Sequence, residues 1–270
     1  MPITVINDAS MHYELMPAEQ ARWEPTPVVV FIHGLGTDSL ASFYLTLAAP
    51  VAAVGIDVIA YDLRGHGRSS LPLTGYRVAD FVNDLAGLLD EIPVSTPVHL
   101  VGNSFGGTIA FSFAAAFPER VASIVSIEAE PATEEWAGKM VETMDNTMRE
   151  LRRDEFYVWV ANTFGNHHAR LTRAAARRLL STTMADEVGL EPFLELPGLE
   201  AIRCPVLSIV GSDGFQKDDP SLLASVLPDC RTEVLDGQDH SVLVNAHKAV
   251  RELLISWVGE HSDARQREPA

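Results

Sequence analysis

Lysine is nearly absent from this chain, with three residues against 17 arginines among 270. That imbalance reads as a coding bias and carries no mechanism. Positive charge is scarce overall, 20 Lys and Arg against 37 Asp and Glu, a formal net charge of −17. Such a balance argues against nucleic acid or an anionic membrane as a partner, since either calls for a basic surface. Cysteine is scarce too. Cys204 and Cys230 stand alone, outside any C-x-x-C spacing, which excludes a disulfide framework and suggests buried thiols in a reducing compartment. No apolar run reaches membrane-spanning length. The opening MPITVINDAS lacks the basic start and apolar core of a signal peptide, so a cytoplasmic protein is expected. Repeats and low-complexity segments are missing as well.

What is present is a globular composition, 47% hydrophobic and 21% charged. The length suits one large domain or a domain with an insertion. After an opening pair, ITVIN and MHYELM, short apolar runs recur at 27–33, 56–62, 97–103, 121–128, 205–211 and 231–237. Most are continuously apolar rather than alternating, which marks strands buried on both faces of a largely parallel sheet. Helical periods fall between them at 43–54, 78–91, 105–117, 220–227 and 246–258. The expected fold class is α/β, a mostly parallel doubly wound sheet of about eight strands. One connection breaks the rhythm. The 75 residues between Glu128 and Cys204 hold helical patterns and no strand. A structureless loop of that length is improbable, so they read as an inserted helical cap. The expected organisation is a core of residues 1–130 and 203–260, a cap of 131–202 and a flexible tail of 261–270.

The sequence Gly102-Asn103-Ser104-Phe105-Gly106 fits G-x-S-x-G between a predicted strand and a predicted helix. The pattern alone is weak and the context makes it strong. A tight strand-to-helix turn strains the serine backbone and lifts its hydroxyl clear of the sheet. A Cβ at either glycine would collide with a neighbouring strand or helix. Ser104 then sits at a helix N-terminus, where amides and dipole favour developing negative charge. The plainer alternative is a serine N-cap in a glycine-rich turn.

A free serine is a poor nucleophile and needs a base with an acid to orient it. His240, directly after the last predicted strand, is the expected base. An oxyanion needs two backbone donors. The amide of Phe105 is one candidate. The amide of Leu35, between two glycines in His33-Gly34-Leu35-Gly36, is the other.

Together these residues resemble an α/β-hydrolase-fold protein. The likeness rests on HGLG at 33–36, YDLRGHGRSS at 61–70, GNSFGG at 102–107, FPERV at 117–121 and GQDHS at 237–241. It covers about residues 27–128 and 205–258 and leaves the cap unmatched. The resemblance implies a structural role for Asp62 and Arg64, and a triad in the chain order Ser, acid, His. Two acids fit that order. Asp213 follows the predicted strand 205–211, the commonest location, but one residue early, and Gly214 fills the usual slot. Glu128 ends the predicted strand 121–128, where some lactonases and dehalogenases of the family place their acid. Glu128 is favoured and Asp213 is kept as the alternative.

The resemblance implies an acyl-enzyme mechanism with no metal and no cofactor. Trp136, Phe156 and Trp159 in the cap suggest an apolar substrate pocket. The expected function is a serine hydrolase acting on a small hydrophobic carboxylic ester or lactone. A carbon–carbon bond hydrolase of the same fold and a slow-turnover ligand receptor are the alternatives. Oligomeric state is not legible in the sequence.

Overall fold

The computed structural model describes residues 2–267. β1 (Ile3–Ile6) and β2 (Ala9–Met16) form a hairpin, and β3 (Val28–Ile32) follows. A helical run comes next: α1 (Ala41–Phe43), a π-wound segment Tyr44–Ala48, and α2 (Ala49–Ala53). β4 (Asp57–Tyr61), α3 (Val78–Glu91), β5 (Val98–Asn103), α4 (Phe105–Ala116) and β6 (Val121–Ile127) then alternate. Between β6 and β7 lie α5 (Glu134–Leu151), α6 (Asp154–Phe164), α7 (Asn166–Ser181), α8 (Met184–Glu187) and α9 (Leu196–Glu200). The chain closes with β7 (Val206–Gly211), α10 (Leu222–Val226), β8 (Cys230–Leu235), α11 (Val242–Asn245) and α12 (His247–Arg267).

The eight strands form one sheet in the order β1-β2-β4-β3-β5-β6-β7-β8. β1 with β2 and β2 with β4 are antiparallel, and every other pair is parallel. The continuously apolar runs are the interior strands, with every residue of β3, β5, β6 and β7 buried. Strand side chains alternate between faces. Val28, Val30 and Ile32 of β3 join one core with α3 and α4, while Val29 and Phe31 join a second with α2 and α12. β8 at the edge is only half-buried. The parallel order leaves the carboxyl ends of β3, β5, β6, β7 and β8 along one edge, where α/β sheets place their sites.

The insertion is tied to the core by polar bonds. Glu187 of α8 accepts from the amides of Gly75 (2.9 Å) and Tyr76 (2.6 Å). The Thr183 amide donates to the Leu73 carbonyl at 2.9 Å. Arg178 of α7 donates to the Gly36 carbonyl at 3.0 Å, in the turn after β3. Part of the expected tail of 261–270 is helical. α12 continues to Arg267, with Trp257 and Val258 buried and Ser262 bonded to the Val258 carbonyl at 2.7 Å. Residues 268–270 lie outside the described residues.

Candidate active site

Ser104 occupies the turn from β5 to α4 with φ 51° and ψ −122°. A non-glycine residue at positive φ is strained, by roughly 1–3 kcal/mol. The turn is possible because its glycines are obligatory. A Cβ on Gly106 would lie 2.0 Å from the Ile32 carbonyl, and one on Gly102 would lie 2.4 Å from the Gly106 backbone. The expected collisions with strand and helix are therefore both present.

His240 lies in the loop after β8, and its Nε2 is 3.1 Å from Ser104 Oγ. Its Nδ1 is 3.3 Å from Glu128 Oε2. The carboxylate on the Nδ1 side requires Nδ1–H to donate, which leaves Nε2 to accept from the serine hydroxyl. Phe215 stacks on the imidazole with ring centroids 3.9 Å apart, which holds the ring plane.

Glu128 caps β6 at φ 50°, again outside the usual region. Its side chain is fully buried. A buried carboxylate needs hydrogen-bond donors, and the end of β7 with the loop after it supplies them. The Gly211 amide donates to Oε1 at 2.5 Å and the Phe215 amide to Oε2 at 3.1 Å. Gly214 is the floor of this seat, since a Cβ there would lie 2.3 Å from Oε1. Asp213 is placed differently. It is exposed, and its backbone amide donates to the Gln238 carbonyl at 2.9 Å. The structure thus brings Ser104, His240 and Glu128 together and leaves Asp213 outside.

Leu35 and Phe105, whose amides are expected to face an oxyanion, line the same cavity. Phe105 opens α4, whose first-turn amides lack helical acceptors. In the turn after β3 the Gly34 amide donates to Asp38 Oδ2 (3.1 Å) and the Gly36 amide to His66 Nε2 (3.0 Å). Between them the Leu35 amide has no hydrogen-bond partner among the described residues. His66 and His33 hold this turn as neutral rings. Burial pushes His33 down to about 4 and His66 to about 3. His33 Nε2 accepts from the Leu63 amide at 3.0 Å. Asp62 and Arg64 brace the same region. Asp62 accepts from the amides of Leu40 and Arg68, both at 2.9 Å, and Arg64 makes two 2.7 Å bonds to buried Asp84.

Above Ser104 is a cavity of about 320 Å³. Its roof is one face of α5, where Trp136, Met140 and Met144 recur at helical spacing. Trp136 lies nearly parallel to Phe105 with centroids 6.2 Å apart. Of the three cap aromatics expected to bind substrate, Trp136 lines this cavity, and Phe156 and Trp159 do not. The latter two stack on each other at 5.9 Å, and Trp159 is 53% exposed. Tyr157 and Val160 take the inward face of α6, which turns Trp159 to the surface. Met140, Met144, Phe215 and Gln216 were not singled out from sequence. The i, i+4 spacing of Trp136, Met140 and Met144 was the available signal for the roof, and nothing local announces the Phe215 stack.

Among the described residues no three His, Cys, Asp or Glu side chains are grouped to hold a metal ion, and no helix is long and apolar enough to cross a membrane.

The family model described as the alpha/beta hydrolase fold matches residues 27–194. The chain is 29% identical over 233 residues to a 2-(acetamidomethylene)succinate hydrolase of Mesorhizobium japonicum, covering 80% of this chain and 82% of that protein. Among solved structures, a carboxylesterase of the thaumarchaeon Nitrososphaera gargenis superposes with a TM-score of 0.75 at 24% identity, over 97% of this chain and 100% of that one. The enol-lactonase of Burkholderia xenovorans LB400 gives a TM-score of 0.74 at 19% identity, over 96% and 100% of the two chains. These two structural likenesses bear on the fold alone.

Proposed function

The chain belongs to the alpha/beta hydrolase fold family, and from that premise we propose that it is a serine hydrolase cleaving a small hydrophobic carboxylic ester or lactone. The reading is carried by one observation: His240 bridges Ser104 Oγ at 3.1 Å and Glu128 at 3.3 Å under an apolar cavity. Ser104 is the nucleophile, His240 the base and Glu128 its orienting acid. Gly214, in the slot the family commonly uses for the acid, leaves room for the Glu128 carboxylate, which supports Glu128 over Asp213.

As Oγ attacks the acyl carbon, His240 Nε2 takes its proton, and Glu128 stabilises the imidazolium through Nδ1–H. The amides of Phe105 and Leu35 receive the oxyanion, aided by the N-terminus of α4. The imidazolium then protonates the leaving oxygen. Water activated by the same histidine cleaves the acyl-enzyme. Residues 131–202 act as a cap domain over a core of 1–130 and 203–260, and the α5 face shapes the acyl pocket.

The cavity's lysine argues for an uncharged acyl group. Lys139 Nζ is paired with Glu130 (3.2 Å) and Glu135 (3.1 Å), so its charge is already matched. The substrate named for the Mesorhizobium relative is a succinate, and a dicarboxylate would find no spare cation there.

The test is labelling with a fluorophosphonate followed by peptide mapping, with turnover of nitrophenyl esters measured alongside. Labelling at Ser104, lost in Ser104→Ala, with rapid multiple turnover is expected. Labelling at another residue, or a single slow turnover, overturns the reading.

A further inference from the structure

A second cavity, of about 550 Å³, reaches the same serine and histidine. Both cavities are bounded by Leu35, Ser104 and His240, so the reacting pair forms the partition between them. Their linings differ in balance, the first more apolar and the second more polar. The first presents Phe105, Trp136, Met140, Met144 and Phe215. The second presents Thr37, Asp38, Ser42, Thr46, Ser241 and His247.

The hydrogen bonds within the second cavity set its polarity. Ser42 Oγ–H donates to Asp38 Oδ1 at 3.0 Å, and Thr46 Oγ1–H donates to the Ser42 carbonyl at 3.0 Å. Both hydroxyls have spent their proton internally, so each offers a ligand only lone pairs. His247 Nδ1 lies 3.2 Å from the Val244 carbonyl and donates to it. Asp38 is itself an acceptor, its Oδ2 already taking the Gly34 amide (3.1 Å) and Asn103 Nδ2 (3.4 Å), and the buried Asn103 Oδ1 is a further acceptor with no hydrogen-bond partner among the described residues. The Thr37 and Ser241 hydroxyls can turn either way. No lysine or arginine lines the cavity.

An acceptor-rich chamber recognises donors and repels anions. Its boundary also includes Ser241, Leu243, Val244 and His247, the segment that follows the proposed base. Of the two chambers that meet at Ser104 and His240, this is the one whose polar side chains suit a hydroxylated leaving group. Resting on the serine-hydrolase reading, we infer that the substrate is an ester of an apolar acid with a hydroxylated alcohol. The acid occupies the chamber under α5. The alcohol's further hydroxyl groups donate to Asp38, Ser42 and Thr46.

Matched butyrate esters test this. The 2-hydroxyethyl and glyceryl esters are compared with the propyl, 2-methoxyethyl and carboxymethyl esters by kcat/KM. The hydroxyl-bearing esters are expected to exceed the methoxyethyl ester at least tenfold, and the anionic carboxymethyl ester to be the poorest. Thr46→Val should shrink the hydroxyethyl-to-methoxyethyl ratio. Asp38→Asn, which replaces an acceptor oxygen by a donor, should move it further toward the methoxyethyl ester. Each ratio is taken within one protein, so a general loss of activity leaves it unaffected. Turnover of all five esters with no preference for hydroxyl, or a ratio unmoved by both variants, overturns the alcohol assignment and leaves the serine reading intact. Absence of turnover and of fluorophosphonate labelling overturns the serine reading, and this inference with it.

Discussion

The loops after β6 and β7 end side by side, and each carries a carboxylate. Glu128 is sealed, held by two amides and facing the histidine. Asp213 is exposed to solvent. What separates the two is the host more than the acid. The β7 loop brings amides from Gly211 and Phe215, and a glycine at 214 with no side chain to occupy the seat. A carboxylate reaching in from β6 fills a space that an acid rooted at 214 would otherwise take. On the proposed reading the acid position is a place in space that either loop could supply, and Gly214 leaves it open to the one from β6.

The sharpest way to break this comparison is to neutralise each acid in turn. Glu128→Gln is expected to lower kcat for ester hydrolysis by about 10³–10⁴-fold, the scale seen when a triad acid is lost. Asp213→Asn should stay within about twofold, as exposed substitutions generally do. Steady-state kinetics on one nitrophenyl ester decide it, and the reverse ranking would exchange the roles. Relocating the acid is the next test. Gly214→Asp alone should be strongly impaired, because its Cβ would lie 2.3 Å from Glu128 Oε1. The double variant Glu128→Ala/Gly214→Asp should recover about tenfold or more over Glu128→Ala, the non-additivity of groups sharing one site. Simple additivity of the two losses would show that the seat cannot be refilled from β7.

The turn after β3 offers a contrasting kind of support, from buried bases instead of a buried acid. His33 and His66 are held down to about 4 and about 3, chiefly by burial. The unfolded chain binds these protons near pH ~6.5, while the folded chain does not. Their contribution to stability is complete above that pH and is lost as pH falls from about 6.5 toward 4 and then 3. Each contributes up to about 1.4 kcal/mol per pH unit in that window. His66→Asn retains an acceptor for the Gly36 amide. It should flatten the slope of unfolding free energy between pH 6.5 and 4.5 by about one proton, read by denaturant titration. An unchanged slope would mean that His66 is already charged in the folded protein. The smallest effects belong to the cap. Met144→Ala enlarges the roofed cavity and should shift the preferred acyl chain upward by a few-fold in kcat/KM. Trp159→Ala, on the outer face of α6, should leave that profile within about twofold.

Much of this is legible in the sequence. The interior strands declared themselves because both faces are buried, so no polar residue interrupts 28–32 and only the buried Ser208 interrupts 206–211. Gly102 and Gly106 declared the serine turn because steric exclusion by backbone is a local matter. The acid stayed open because it depends on how two loops, far apart in sequence, interleave around Gly214. Trp159 shows a different limit. An aromatic residue in a cap reads as pocket lining by composition, but its neighbours Tyr157 and Val160 decide which way the helix turns. The acceptor character of Ser42 and Thr46 was invisible too, since it depends on where their own protons point.

Gly36 is gripped from both sides, its amide by His66 of the core and its carbonyl by Arg178 of the insertion. Roof and floor thus share a residue, the one next to Leu35. Anyone exchanging this roof for a relative's to change selectivity would also be unfastening that residue, and a graft without a guanidinium at the same place should open the chamber and slacken the turn beside the serine together.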